Sequence, residues 1–292
     1  MTIQTTHTRT TNLLTRRTWL SMKSRSSWIT LSAGITLGLL VLMAIFAPLI
    51  APHDPNEVSL INALLPPSGE FPLGTDDAGR DVLSRTIYAA RISLLGPLAV
   101  VIGSTLLGVT IGIVSAWRGG VVDGLLSRVV EILFAFPAVL LAILVVAIAG
   151  PGLNSIVIAL AIAYIPYMAR VTRSVALTER GTAYIQALET QGMRAWQIVI
   201  RHLLPNIMPF VIAQATLLFG YAMIDLAALS FLGFGVQPPQ ADWGAMAAAG
   251  QSALIQGLPL PALAPSALIV VAVVSFSLIG EGIAERIVKS EK

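Results

Sequence analysis

Residues 132–169 read ILFAFPAVLLAILVVAIAGPGLNSIVIALAIAYIPYMA, 38 consecutive positions without a charged side chain. About 20 apolar residues carry an α-helix across a bilayer, so this run is too long for one crossing. Pro151-Gly152 divides it, because proline cannot continue a helix and glycine favours a turn. Two membrane helices are expected, over 131–150 and 153–171. Working outward, Ile29 to Pro52, Ile92 to Trp117 and Trp243 to Gly280 carry no charge, and Ile207 to Pro239 carries only Asp225. These runs add expected helices at 29–50, 92–116, 207–230 and 262–283. The spacing predicts an all-α membrane protein with six transmembrane helices. Composition agrees: 55% of the 292 residues are hydrophobic, 11% are charged, and the mean hydropathy is +0.82. A soluble globular domain is excluded.

Lysine and arginine set the orientation. Fifteen of the 18 fall in the N-terminal tail, the loop holding Arg118 and Arg128, the central loop (Arg170, Arg173, Arg180, Arg194, Arg201) and the C-terminus. The opposite side has only Arg80, Arg85 and Arg91. Both termini and the central loop are therefore expected in the cytoplasm. The net charge of +3 follows from topology and implies no nucleic-acid partner. With no cysteine, the chain has neither disulfides nor thiolate metal sites. The expected organisation is a basic, mobile cytoplasmic tail over 1–28, a first membrane helix over 29–51 and an external segment over 52–91. A five-helix core over 92–283 contains the central loop 172–206, and a cytoplasmic tail over 284–292 follows. The first apolar segment reads as an uncleaved anchor in the lipid.

The external segment begins irregularly, with Pro52, Pro55, Pro66, Pro67 and Gly69. From Arg80 the apolar residues Val82, Leu83, Ile87 and Tyr88 recur at helical spacing. An amphipathic helix lying on the membrane surface is expected there, with Asp81 and Arg85 as a favourable pair. Asp76, Asp77 and Asp81 read as helix-start acids rather than as a metal site, because Ca²⁺ needs six or more converging oxygens. Asp225 is the one acid inside a span, which makes it a candidate pathway-lining residue; the alternatives are a protonated acid bonded to a neighbouring helix, or a residue nearer the outer interface than the expected span places it. Gly34-x-x-x-Gly38 and Gly108-x-x-x-Gly112 have close-packing spacing, although glycine-rich spans produce it by chance. Pro137 and Pro166 suggest kinks.

The central loop contains Gln186-Ala187-Leu188-Glu189-Thr190-Gln191-Gly192 and, further on, His202-Leu203-Leu204-Pro205. Tyr184, Ala187, Leu188 and Gln191 share a helical face, and Gly192 permits a turn. Such a unit suits either a knob for a partner or an interfacial anchor, with Arg201 and His202 pinning it to the membrane. The layout resembles the coupling loop of ABC importer permeases: Glu-Ala-Ala, three residues, Gly, nine residues, Ile-x-Leu-Pro. Gln186, Ala187, Leu188, Gly192, His202, Leu204 and Pro205 fall on those positions. Gln186, Leu188 and His202 depart from the usual residues, and Glu189 is the nearby acid. Two outer stretches are also similar to the C-type subunit of dipeptide, oligopeptide and nickel importers. These are Pro72-Leu73-Gly74-Thr75-Asp76-Asp77-Ala78-Gly79-Arg80-Asp81, with Phe71 where relatives have His, and Leu229-Ser230-Phe231-Leu232-Gly233-Phe234-Gly235 through Pro239, Trp243 and Met246. Trp243 also suits a membrane interface.

The resemblance implies a type I ABC importer permease fold in the bacterial inner membrane. It also implies half of a translocation pathway for peptides, nickel complexes or similar small solutes. The implied partners are a homologous permease in a heterodimer, two cytoplasmic ATP-binding subunits docked at the coupling loop, and an extracytoplasmic solute-binding protein. No catalytic, cofactor or metal residue is implied. Consistently, the sequence has no Gly-x-x-x-x-Gly-Lys-Ser/Thr, His-Glu-x-x-His or Gly-x-Ser-x-Gly. The rival is a stand-alone secondary transporter, which needs inverted repeats and a coupling-ion site. A membrane enzyme or structural subunit is a further alternative.

Overall fold

The computed structural model describes the backbone of residues 11–290 and the side chains of residues 28–285. Among the described residues there are twelve α-helices and no named strand. They are α1 (Thr11–Ile45), α2 (Ala47–Ile50), α3 (Val82–Arg118), α4 (Gly120–Phe134), α5 (Ala138–Ala149) and α6 (Leu153–Arg180). The second half holds α7 (Ala183–Thr190), α8 (Ala195–Ile198), α9 (Leu204–Phe231), α10 (Trp243–Ala249), α11 (Gln251–Ile255) and α12 (Leu260–Ser290). A π-helical turn, Val199–Leu203, joins α8 to α9.

Among the described residues, five helical stretches are single spans by length and hydropathy, in α1, α3, α6, α9 and α12. The α4–α5 pair, bent by 86°, makes the sixth candidate. The continuous helix expected over 131–150 is therefore broken. Pro137 has no amide hydrogen to donate, and its ring clashes with the preceding turn. The chain turns through Ala135 and Phe136, and Leu141 restarts the ladder by donating to the Pro137 carbonyl at 3.1 Å. Pro166 stays inside α6 without a break. At the ends, α1 is already helical from Thr11, inside the expected tail, whose residues 1–10 lie outside the described part. Helix α12 runs through the other expected tail to Ser290.

The α3–α6 pair is the most extensive helix contact, followed by α9 with α12. Its closeness comes from Gly108 and Gly112. A Cβ at Gly108 would sit 2.5 Å from the Met168 Cβ, and one at Gly112 would sit 2.7 Å from the Ala169 carbonyl oxygen. The same spacing at Gly34 and Gly38 faces no atom within 4 Å. One motif is thus a helix contact and the other an open face of α1. Arg91 ties α1 to α3 by donating to the carbonyls of Ala44 (2.7 Å) and Ile45 (3.1 Å), which end α1.

The external segment corrects one expectation. Instead of a separate surface helix, residues 82–91 form the first turns of α3, and Val82, Ser84, Arg85, Thr86, Ile87, Ala89 and Ala90 are buried. Protein covers this face. The His53 amide donates to Ser84 Oγ (3.0 Å), and Arg85 donates to the Pro55 carbonyl (2.8 Å). The expected Asp81–Arg85 pair is not formed. Asp81 is the N-cap of α3, accepting from the amides of Leu83 (3.3 Å) and Ser84 (3.0 Å), while Arg85 lies 3.5 Å from Asp76. Asp76 also holds Arg80 at 2.7 Å. Asp81→Ala is expected to lower stability by about 1 kcal/mol, as lost N-caps do, with Asp81→Asn keeping the greater part. Thermal unfolding of the purified protein checks this, and equal melting temperatures for Asp81→Ala and wild type would remove the cap from the account.

Trp243 is likewise buried, with 0% exposure, and is no interfacial residue. Its indole N–H donates to the Thr86 carbonyl and its amide to Ser93 Oγ, both at 2.9 Å, so it locks α10 onto α3. Asp242, also buried, caps α10 by accepting from the Ala245 amide at 3.0 Å. Burial pushes the Asp242 carboxyl above the usual carboxylate range, and the Ala245 amide opposes this.

Candidate coupling loop and the polar face between α6 and α9

The central loop folds as helix, turn and short helix. Helix α7 ends in a Schellman turn: the Gly192 amide donates to the Glu189 carbonyl (3.0 Å) and the Met193 amide to the Leu188 carbonyl (3.2 Å). Gly192 has φ of +78°, the left-handed conformation that the sequence reading requires of it. One side of α7 is anchored. Ile185 is fully buried, a burial worth about 1.5–3 kcal/mol, and Leu188 packs against the same core. Ile198, Leu203 and Ile207 belong to that core as well. The opposite side is bare: Ala183, Gln186, Ala187 and Thr190 are exposed at one-turn intervals. Leu188, grouped with Ala187 and Gln191 on one docking face in the sequence, instead points partly inward.

Hydrogen bonds fasten this unit to the spans. Tyr184 bonds Glu179 at the end of α6, and Asn206 at the start of α9 donates to Glu179 (2.9 Å) and to the Tyr184 hydroxyl (2.7 Å). Partial burial and the Glu179 carboxylate push the Tyr184 phenol upward, so it remains a donor at neutral pH. Arg180 makes the second fastening. It donates to the carbonyls of Ala116 (2.9 Å) and Trp117 (2.7 Å) at the end of α3 and lies 5.0 Å over the Trp117 ring. Its Nε is 3.6 Å from Glu189 of α7. Arg201 and His202 lie on the π-helical turn, exposed and half-buried respectively; Leu204 is half-buried and Pro205 exposed at the first turn of α9. Sequence reasoning missed Glu179, Arg180, Ile185 and Asn206. The period of α7 could have flagged Ile185; the others meet their partners only through the fold. Arg180→Lys should keep the Glu189 pair but lose the two-carbonyl cap and the stacking. Limited proteolysis is expected to cut the central loop severalfold faster in this variant at unchanged membrane abundance, and cleavage equal to wild type would show that this fastening does not hold the loop.

A third cluster joins α3, α4 and α6. Arg173 grips the Asp123 carboxylate through Nε and Nη2, both at 2.6 Å, and Ser115 bonds the same carboxylate. Two-pronged geometry makes this stronger than a single-point ion pair.

Within the spans, Asp225 of α9 accepts from the Tyr164 hydroxyl of α6 at 2.6 Å. Three helical turns away on α9, Gln214 accepts from the Tyr167 hydroxyl at 2.8 Å. Tyr221 stands one turn from Asp225 and is 60% exposed. Asp225, Tyr164, Tyr167 and Gln214 are all half-buried. Among the described residues Asp225 has no ion-pair partner.

The chain has known relatives. The family "Binding-protein-dependent transport system inner membrane component" matches residues 108–291, and "N-terminal TM domain of oligopeptide transport permease C" matches residues 23–67. The chain is 40% identical over 247 residues to the dipeptide transport system permease protein DppC of Alkalihalophilus pseudofirmus, covering 85% of this chain and 81% of that one. It is 37% identical over 259 residues to the probable D,D-dipeptide transport system permease protein DdpC of Escherichia coli, covering 89% and 87%. Among solved structures, a chain of the MetNI methionine ABC transporter in an inward facing conformation superposes with a TM-score of 0.57. It is 20% identical and covers 70% of this chain and 96% of that one, a likeness of fold.

Proposed function

Since the chain belongs to the family of binding-protein-dependent transport system inner membrane components, we propose that it forms half of the membrane path of an ATP-driven importer of short peptides. The relatives named for dipeptide transport support the cargo class. A homologous permease supplies the other half of the path, two ATP-binding subunits dock in the cytoplasm, and an external binding protein delivers the solute. The excess of lysine and arginine at the Pro205 end of α9 and at both termini supports a cytoplasmic side for those parts in a bacterial inner membrane.

The observation that carries the coupling role is the two-sidedness of α7. Ala183, Gln186, Ala187 and Thr190 present a small, uncharged, bare face. Behind it, Ile185 is buried and Tyr184, Arg180 and Glu189 fasten the helix to α6, α9 and α3. A push on the bare face therefore moves spans rather than a slack loop. An interfacial anchor has the opposite requirement, a large apolar face turned to lipid. ATP hydrolysis in the partners supplies the work, and this chain converts it into a change of the path. Asp225 lines that path.

The test is uptake of a labelled dipeptide by cells with and without this chain. The chain should restore uptake to deletion cells, and that uptake should cease when ATP is depleted but persist when the proton gradient is collapsed. Uptake that survives ATP depletion and stops with the gradient would favour the stand-alone carrier.

A further inference from the structure

We infer that the half-open polar face between α6 and α9 is a subsite for a primary ammonium group, in which Asp225 takes the α-amino end of a passing peptide and the Tyr164 hydroxyl completes its shell. This rests on the peptide-importer reading above.

Three observations carry it. First, Asp225 is the only charged residue between Ile207 and Pro239, and a carboxylate within a span is costly unless it is used. A tie between two helices needs no charge: Tyr167 and Gln214 make one at 2.8 Å with neutral groups on the same two helices. Second, Asp225 is under-used. An ionised carboxylate has about four acceptor positions, yet among the described residues Tyr164 is its one donor, at 2.6 Å, and no cation compensates it. A primary ammonium brings one positive charge and three donors, which match the missing charge and the vacant acceptor positions. Third, the face is reachable. Asp225 and Tyr164 are half-buried and Tyr221 is 60% exposed, with Tyr221 and Asp225 one turn apart on α9. Within residues 153–169 of α6 and 207–231 of α9 Asp225 is the only charge, so a blocked amine, which is uncharged, lacks the ion pair that a free ammonium makes there.

The cysteine-free sequence makes a direct test practicable. The assembled complex would carry Tyr221→Cys as a reporter, alone and together with Asp225→Asn. A cationic thiosulfonate reagent should label the single variant at least about 10-fold faster than an anionic one, and Asp225→Asn should abolish that preference. Free dipeptide should protect the cysteine, whereas the N-acetylated dipeptide should not. In the otherwise wild-type complex, Asp225→Asn should cut dipeptide uptake by about 10-fold or more, the scale of one hydrogen bond to a charged group, with the partner permease co-purifying normally. Wild-type uptake by Asp225→Asn, or no charge preference in labelling, would overturn the subsite while leaving the importer intact. Loss of the partner permease from a folded Asp225→Asn chain would overturn it in favour of a contact between subunits. Failure of the wild-type complex to move any dipeptide would overturn the importer reading, and the subsite with it.

Discussion

Gly192→Val is expected to abolish uptake while the protein stays in the membrane at normal abundance. Gly192 closes α7 at φ of +78°, where a β-branched residue is a genuine outlier. No atom lies within 4 Å of an added Cβ, so the penalty is one of backbone conformation and not of crowding. The Schellman bonds of Gly192 and Met193 then open, and the second short helix no longer stands where α7 leaves it. The candidate spans do not depend on this turn. Gly192→Asn, which tolerates the left-handed region, should retain most of the uptake. Ala187→Arg should reproduce the loss by a different route, since it puts a charge on the bare face without disturbing Ile185 beneath. Leu188→Arg is a poorer probe because it charges a side chain packed against the core. Co-purification of the ATP-binding subunits, measured beside uptake, separates lost docking from lost folding. Full docking and full uptake in both Gly192→Val and Ala187→Arg would favour the anchor reading.

Gly108→Leu should remove the protein altogether. Its Cβ would lie 2.5 Å from the Met168 Cβ and 3.0 Å from the Ala169 amide nitrogen, and backbone cannot swing away as a side chain can. Overpacking commonly costs 1–3 kcal/mol, and this site, held between two backbones, belongs at about 3 kcal/mol or beyond. Gly34→Leu is the internal control: the same spacing motif, with open space around the glycine, should tolerate leucine at wild-type abundance. Membrane abundance by quantitative immunoblot decides, and equal loss at both positions would show that the close α3–α6 approach is not what matters.

What the sequence made legible was the part governed by local chemistry. Runs of uncharged residues located the spans, the Gly192 spacing implied the turn that Glu189 and Met193 close, and the acids before Val82 announced a helix start that Asp81 caps. Periodicity also showed that residues 82–91 have an apolar face, but not what covers it. A membrane surface was the natural guess; the cover is instead His53, Pro55 and Trp243, the last bonded to Thr86 from 157 positions away. The fastening of α7 was hidden for the same reason. Arg180 meets Trp117 and Asn206 meets Tyr184 only once α3, α6 and α9 are packed. Pro137 signalled a kink, yet an 86° bend depends on where α5 finds α6 to pack against, which no local pattern states.

The bare face of α7 is where an ATP-binding subunit is expected to push. Because the chain has no native cysteine, a single cysteine at Ala187 and, in a separate variant, at Gly69 in the external segment can each be given a short photoactivatable thiol crosslinker in intact cells. A crosslink from position 187 to an ATP-binding subunit is expected, and none from position 69. A crosslink to that subunit from position 69, with none from position 187, would contradict both the topology and the coupling role.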